Sequence, residues 1–270
     1  MPTRPLVLGV PHDASSSFLR GAAAGPTAIR EALVSPAANP YSERLVRVVA
    51  GEAFDDAGDL PLPAGPEARA AIEGAIRNLR GGRPFLALGG DHSITYPIIR
   101  GLAASQPSLT ILQVDAHPDL YDEFEGERYS HACPFARIME EGLAARLVQV
   151  GIRAMTAHQR DQARRFGVDQ IDMRAWARGA RAETTGPWYL SLDLDGIDPA
   201  FAPGVAHREP GGLSVREVLT LIDSQPGPLI GADIVELNPA QDHDNLTAIV
   251  AAKLVKEIVG RWAADDAAAR

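Results

Sequence analysis

Apolar residues along this chain fall into short runs separated by amphipathic stretches. The runs at 5–10, 44–50, 83–89, 109–116, 146–152, 187–195 and 228–237 are nearly all continuous rather than alternating, as strands buried on both faces should be. Between them, 25–33, 66–80, 95–105, 134–146, 156–166, 214–223 and 245–262 read as helices. Regular strand–helix alternation predicts an α/β protein with a mostly parallel sheet and helices on both sides. No internal repeat or low-complexity linker divides the sequence, so residues 1–270 are expected to form a single domain. Pro and Gly cluster at 61–66 and 199–212; the second cluster follows a strand and reads as a site loop, whereas the Ala-rich end reads as a frayed helix or tail.

Composition narrows the function classes. With 270 residues, 46% of them hydrophobic, the chain can bury a full core. A net charge of −9 disfavours nucleic acid or an anionic membrane as partner, because both attract a basic stripe, and suits a cationic substrate better. No run approaches the ~20 apolar residues of a membrane span, and the N-terminal run is too short for a signal peptide. Cys133 is the only cysteine, which excludes an intrachain disulfide and agrees with a cytoplasmic location. It reads as a small packed residue rather than a nucleophile.

The chemistry sits where strands end. Asp115, His117 and Asp119 are spaced i, i+2, i+4 directly after the run 109–116, and in extended chain those positions share one face. Asp193 and Asp195 repeat the spacing at the end of 187–195, and a Gly-Gly turn after 83–89 carries Asp91 and His92. Open parallel sheets keep their sites at that end of the strands.

Four aspartates and two histidines at one edge need a counter-charge. Two divalent cations would balance Asp115, Asp119, Asp193 and Asp195 while His92 and His117 stay neutral donors. Two such metals about 3.5–4 Å apart lower the pKa of a shared water and create a hydrolytic nucleophile. The donors are oxygen-rich, with two nitrogens and no thiolate, which favours Mn²⁺, with Ni²⁺, Co²⁺ and Fe²⁺ as alternatives. Asp91 and Asp233 read instead as capping or supporting groups.

Three motifs in one order carry a resemblance. GGDHS (89–93), DAHPD (115–119) with a following SHACPF (130–135), and SLDLDGIDPAFAPG (191–204) are similar to the signatures of the ureohydrolases, the arginase and agmatinase family, with agmatinase the nearer type. The likeness spans nearly the whole chain, from 25–33 to DIVELNPA (233–240). It implies a three-layer α/β/α arginase-like fold, homotrimers or homohexamers, and two Mn²⁺ per chain. His92, Asp115, Asp119 and Asp193 would hold one metal, and Asp115, His117, Asp193 and Asp195 the other, with Asp115 and Asp193 bridging. His131 falls at the family's proton-shuttling position and Glu236 at the carboxylate that pairs with the guanidinium. The implied reaction is hydrolysis of a guanidino compound to urea and an amine.

Residues around the motifs bear on the substrate. Tyr121 stands where arginases typically have Asn, and Asp122, Glu123, Glu125 and Glu127 would repel a carboxylate and attract an amine, so agmatine, giving putrescine and urea, is the favoured substrate. VAHREPGGLS (205–214) departs from the common pattern and places His207, Arg208 and Glu209 near the pocket. Arg208 could pair with a substrate carboxylate, which makes arginine or a guanidino acid such as guanidinobutyrate the alternative. Outside this class stand a single-zinc deacetylase, which would not need a second ligand set, and a non-catalytic binding homologue, which would be expected to have lost a ligand.

Overall fold

The computed structural model describes residues 4–268 apart from 80, 104 and 107. The extreme N-terminus and the last two residues of the Ala-rich end lie outside that range. One eight-stranded sheet runs through the chain: β1 Leu6–Val10, β2 Asp55–Asp59, β3 Phe85–Gly89, β4 Thr110–Val114, β5 Arg146–Val150, β6 Asp169–Ile171, β7 Trp188–Asp193 and β8 Leu229–Val235, in the order β2-β1-β3-β8-β7-β4-β5-β6. Every pairing is parallel.

Alternation of side chains sends the two faces of each strand into two separate cores. Leu86 and Leu88 of β3, with Leu112 and Val114 of β4, pack with Ile29, Trp176, Val218 and Leu254 from helices α1 (Gly25–Leu33), α6 (Met173–Ala177), α7 (Val215–Ser224) and α8 (Leu246–Ala268). Phe85, Ala87 and Ile111 face the other way, onto Ile72, Ile98, Phe135 and Ala163 from α2 (Glu67–Leu79), α3 (Thr95–Ala103), α4 (Pro134–Glu140) and α5 (Ala157–Phe166). The expected continuous apolar strands are therefore the buried middle layer of three. Among the described residues no helix is long and apolar enough to cross a membrane.

One expected strand is absent. The run 44–50 makes only single bridges, Tyr41 with Arg47 and Ala50 with Phe54. Leu45 adopts φ 61°, a left-handed conformation that interrupts extended chain, while Val48 turns into the core. The edge place next to β1 goes to the acidic stretch DDAGD instead, which no hydrophobic pattern marks. Arginines make that possible: Arg30 pairs with Asp56 and Asp59, and Arg4 and Arg83 with Asp55. Charges also suit an edge, where they discourage pairing with a second sheet.

Register then sets the site. Leu88 pairs with Ile234, Asp193 with Val235, and Leu192 with Val114, so β3, β8, β7 and β4 finish level with one another. Four adjacent strands thus release His92, Glu236, Asp193, Asp195 and Asp115 at one end of the sheet.

Candidate metal centre

Close backbone packing brings these loops together. A Cβ at Gly90 would lie 1.9 Å from the His12 carbonyl oxygen, and one at Gly196 would lie 2.7 Å from the Asp115 amide nitrogen, so both motif glycines permit contacts that no other residue allows. Asp91 caps the turn after β3 by accepting from the Ser93 amide, and its other oxygen accepts from the Ser15 amide at 2.9 Å. Asp119 and Glu236 hold φ of 49° and 66°, sparsely populated for such residues and typical of functional positions.

His92 Nδ1 lies 3.2 Å from Asp115 Oδ2, 3.0 Å from Asp119 Oδ2 and 3.2 Å from Asp193 Oδ2. His117 Nδ1 lies 3.1 Å from Asp195 Oδ2 and 3.6 Å from Asp115 Oδ1. The six expected residues therefore converge, and the two carboxylate oxygens of Asp115 face different histidines. Two groups have metal-ligand geometry, His92 with Asp115 and Asp119, and Asp115 with His117 and Asp195.

The hydrogen bonding of His92 fits a metal ligand. Ser191 Oγ donates to Asp233 Oδ1 at 2.8 Å, so it accepts from His92 Nε2 at 2.9 Å. That fixes a ring hydrogen on Nε2 and turns Nδ1 toward the carboxylates. Nδ1 is buried with no hydrogen-bond partner, facing three carboxylates. A buried nitrogen facing three carboxylates must carry a proton or bind a cation, and a ring N–H anchored on the opposite side is how ligating histidines are held. Asp233 completes the anchor, taking bonds from Thr95 and Tyr189 as well.

Electrostatics agree. Burial, then the charge of Asp195 and Asp115, pushes Asp193 well above the usual carboxylate range, and burial with the Asp115 charge pushes Asp119 up to about 6. Burial would lower His117 and His92, yet the surrounding aspartates outweigh it, raising His117 to about 12 and His92 well above its ordinary value. Two protonated rings still leave four carboxylates under-compensated, and no arginine or lysine side chain bonds to them among the described residues. Divalent cations meet that deficit with the donors present.

Beside the centre stand His131 and Glu236. Glu236 Oε1 accepts from the His92 amide at 2.9 Å and lies 3.2 Å from His131 Nδ1. Burial would depress His131, but the Glu236 carboxylate raises it to about 9. Its Nε2 faces Ser17, with Oγ at 2.9 Å and the amide at 3.3 Å. Both residues line a cavity of about 330 Å³ together with His117, Asp119, Asp193 and Asp195.

Residues 4–260 match the model of the arginase family. The chain belongs to that family. "Arginase 1, mitochondrial" of Arabidopsis thaliana is 42% identical over 273 residues, covering 94% of this chain and 80% of that protein. The "N(1)-aminopropylagmatine ureohydrolase" of Thermus thermophilus is 39% identical, covering 95% and 89%. Among solved structures, the arginase from Medicago truncatula superposes with a TM-score of 0.89 at 37% identity, covering 96% of this chain and 87% of that one. As an arginase-family member the chain is a metal-dependent hydrolase with the arginase-like fold.

Expectations about the substrate end of this arginase-family cavity fare unevenly. Tyr121 lines it, stacked on His158 with ring centroids 5.7 Å apart. The acidic run does not: Asp122 is paired with Arg128 and Arg137, Glu125 and Glu127 border a different hollow, and Phe124 is the member of that segment on the wall. Arg208 is not brought in either, because its guanidinium donates to the carbonyls of Pro203 at 2.6 Å and Gln241 at 3.0 Å. His207 is the residue of that loop that reaches the cavity, 5.3 Å from His131 between ring centroids. Ser17, Met155, Thr156 and Gln159 complete the wall without any motif to announce them. Cys133 is buried, and burial pushes its thiol up to about 12, which suits a packed residue.

Proposed function

We propose that this chain hydrolyses a guanidino compound to urea and an amine at a two-manganese centre, with agmatine the favoured substrate. One observation carries the reading: the buried Nδ1 of His92, without a hydrogen-bond partner, lies within 3.2 Å of three carboxylates, with a second imidazole and a fourth carboxylate alongside. His92, Asp115, Asp119 and Asp193 would hold one ion, and Asp115, His117, Asp193 and Asp195 the other. When bound, such a pair neutralises the carboxylates and supplies Lewis-acid activation of water.

The chain's own residues account for the rest. A guanidinium is planar and always charged, so it suits a cavity whose ionisable walls are carboxylates and imidazoles. Glu236 Oε1 is committed to His92 and His131, which leaves Oε2 for a guanidinium N–H. His131, raised to about 9 by Glu236, carries a proton at neutral pH and can give it to the departing amine as the C–N bond breaks.

Support for agmatine comes from the walls. Among the described residues the cavity is lined by no lysine or arginine, and Tyr121, Phe124 and Met155 give it apolar lining, so a substrate carboxylate would meet no guanidinium or ammonium partner. With Arg208 tied to carbonyls, a guanidino acid has lost the residue that would have recognised it. Arginine is the second reading, favoured by the hydroxyl of Thr156 and the amide of Gln159 on the same wall and by relatives named arginase. Urea release from agmatine, arginine and guanidinobutyrate by the manganese-loaded protein decides it: kcat/KM highest on agmatine is expected, and a higher value on arginine overturns the agmatine reading.

A further inference from the structure

We infer that Ser17 is a positioning residue for His131, its hydroxyl holding the imidazole in both protonation states. This rests on His131 being the group that carries the proton. The two ring nitrogens are engaged on opposite sides, Nδ1 by Glu236 Oε1 at 3.2 Å and Nε2 by Ser17 Oγ at 2.9 Å. A carboxylate only accepts, so Nδ1 keeps its hydrogen throughout and Nε2 is the nitrogen whose proton comes and goes. Its partner must therefore accept from Nε2–H when the ring is charged and donate to the bare nitrogen once the proton has left. A hydroxyl does both. The Ser17 amide, 3.3 Å from the same nitrogen, only donates and so favours the neutral ring alone.

The segment around Ser17 is built to keep it there. Ser15 is fastened at both ends of its peptide, its amide donating to Asp91 Oδ2 at 2.9 Å and its carbonyl accepting from the His131 amide at 3.3 Å. Further along, Asn238 Nδ2 donates to the Leu19 carbonyl at 2.6 Å, and Asp13 Oδ2 accepts from the Gly21 amide at 2.8 Å. An exposed serine between such anchors is held by its surroundings rather than by its own packing. Asp91, at the motif's heart without being among the converging ligands, thereby acquires a reason to be acidic: it ties this segment to the His92 turn.

Ser17→Ala should lower kcat about tenfold, as loss of one hydrogen bond to a charged ring does, with KM, manganese content and melting temperature unchanged. Ser17→Thr, which keeps the hydroxyl, should recover most of the rate. Combined with His131→Ala, the Ser17→Ala change should cost nothing further, because its effect runs through a ring that is no longer present. A rise in KM with kcat retained, failure of the threonine variant to recover, or losses that multiply in the double variant overturns the proposal. If the wild-type protein releases no urea from any guanidino compound, the reaction assigned above fails separately. A crystal structure of the manganese-loaded protein then decides on Ser17: Oγ within hydrogen-bond distance of Nε2 supports the assignment, and Oγ turned away overturns it.

Discussion

Two groups of aspartates lie on the same sheet and are stabilised in opposite ways. At the edge, Asp55, Asp56 and Asp59 are partly or well exposed and meet Arg4, Arg83 and Arg30, with Arg30 gripping both oxygens of Asp56 at 2.9 and 3.0 Å. Asp55 is accordingly held below its ordinary range, first by its bond to Arg83. At the ends of the central strands, Asp115, Asp119, Asp193 and Asp195 are buried, have no arginine or lysine partner among the described residues, and meet only imidazoles, amides and each other. Screened charges with cations of their own belong to the architecture. Buried charges without them mark a place where an ion could be held by donors the chain supplies.

The sharpest way to break this contrast is to remove a carboxylate at the centre. Asp115→Ala or Asp193→Ala should leave no measurable urea release and fewer than two manganese per chain by elemental analysis; full metal stoichiometry in both variants would refute the ligand assignment. His131→Ala should keep both metals while kcat falls by roughly 10²–10⁴, the usual contribution of a positioned acid. The fall in wild-type kcat as pH rises through about 9 should also vanish in that variant, since Glu236 raises the group that titrates there. A normal metal content with an unchanged alkaline limb would remove His131 from proton transfer.

Chelation probes the dependence on an ion directly. Metal held at a hundredfold excess over its Kd stabilises by about 2.7 kcal/mol, which for a chain of this size is a shift of roughly 5–10 °C in melting temperature. The pH response should differ too. Asp119, raised to about 6, and Asp193, raised further, bind protons more tightly in the folded chain than in the unfolded one. Their contribution to the metal-free protein is thus complete below pH ~4 and is lost as pH rises through about 6 and beyond. Metal-free protein should melt lower at pH 7.5 than at pH 5, and adding manganese at pH 6 should release protons, measurable by calorimetry in buffers of different ionisation enthalpy. Metal-free melting that rises over this interval would contradict the carboxylate crowding. The smallest effect belongs to the edge: Asp56→Asn should cost at most about 1 kcal/mol in urea denaturation, as partly exposed pairs do, with kcat and manganese content untouched.

The contrast also explains what could be read in advance. His92, Asp115, His117, Asp119, Asp193 and Asp195 were legible because each follows closely on a continuous apolar run, although loop turns rather than extended chain bring them together: Asp119 holds φ 49°, and His92 and Asp195 lie in 3-10 turns. The edge strand was not, since its residues are acidic and their stabilisation comes from Arg4, Arg30 and Arg83, all of them distant in sequence. The apolar run 44–50 misleads for the converse reason: it buries Val48 without pairing as a strand. The acidic segment 122–127 and Arg208 read as substrate contacts because their charges were unassigned; the fold pairs Asp122 with Arg128 and Arg137, turns Glu125 and Glu127 to a different hollow, and ties Arg208 to two backbone carbonyls.

Periodicity and motif spacing by themselves determined the α/β architecture, the end of the sheet that carries the chemistry and the six residues that converge there, because apolar runs mark the strands and these residues directly follow them in the chain. Only the tertiary structure decided that Ser191 and Asp233 turn Nδ1 of His92 toward the carboxylates, that His207 rather than Arg208 reaches the cavity, and that Ser17 sits on His131 across a separation of 114 residues. Those contacts join segments distant in the chain, and a hydroxyl or a guanidinium takes whichever partner the fold brings within about 3 Å.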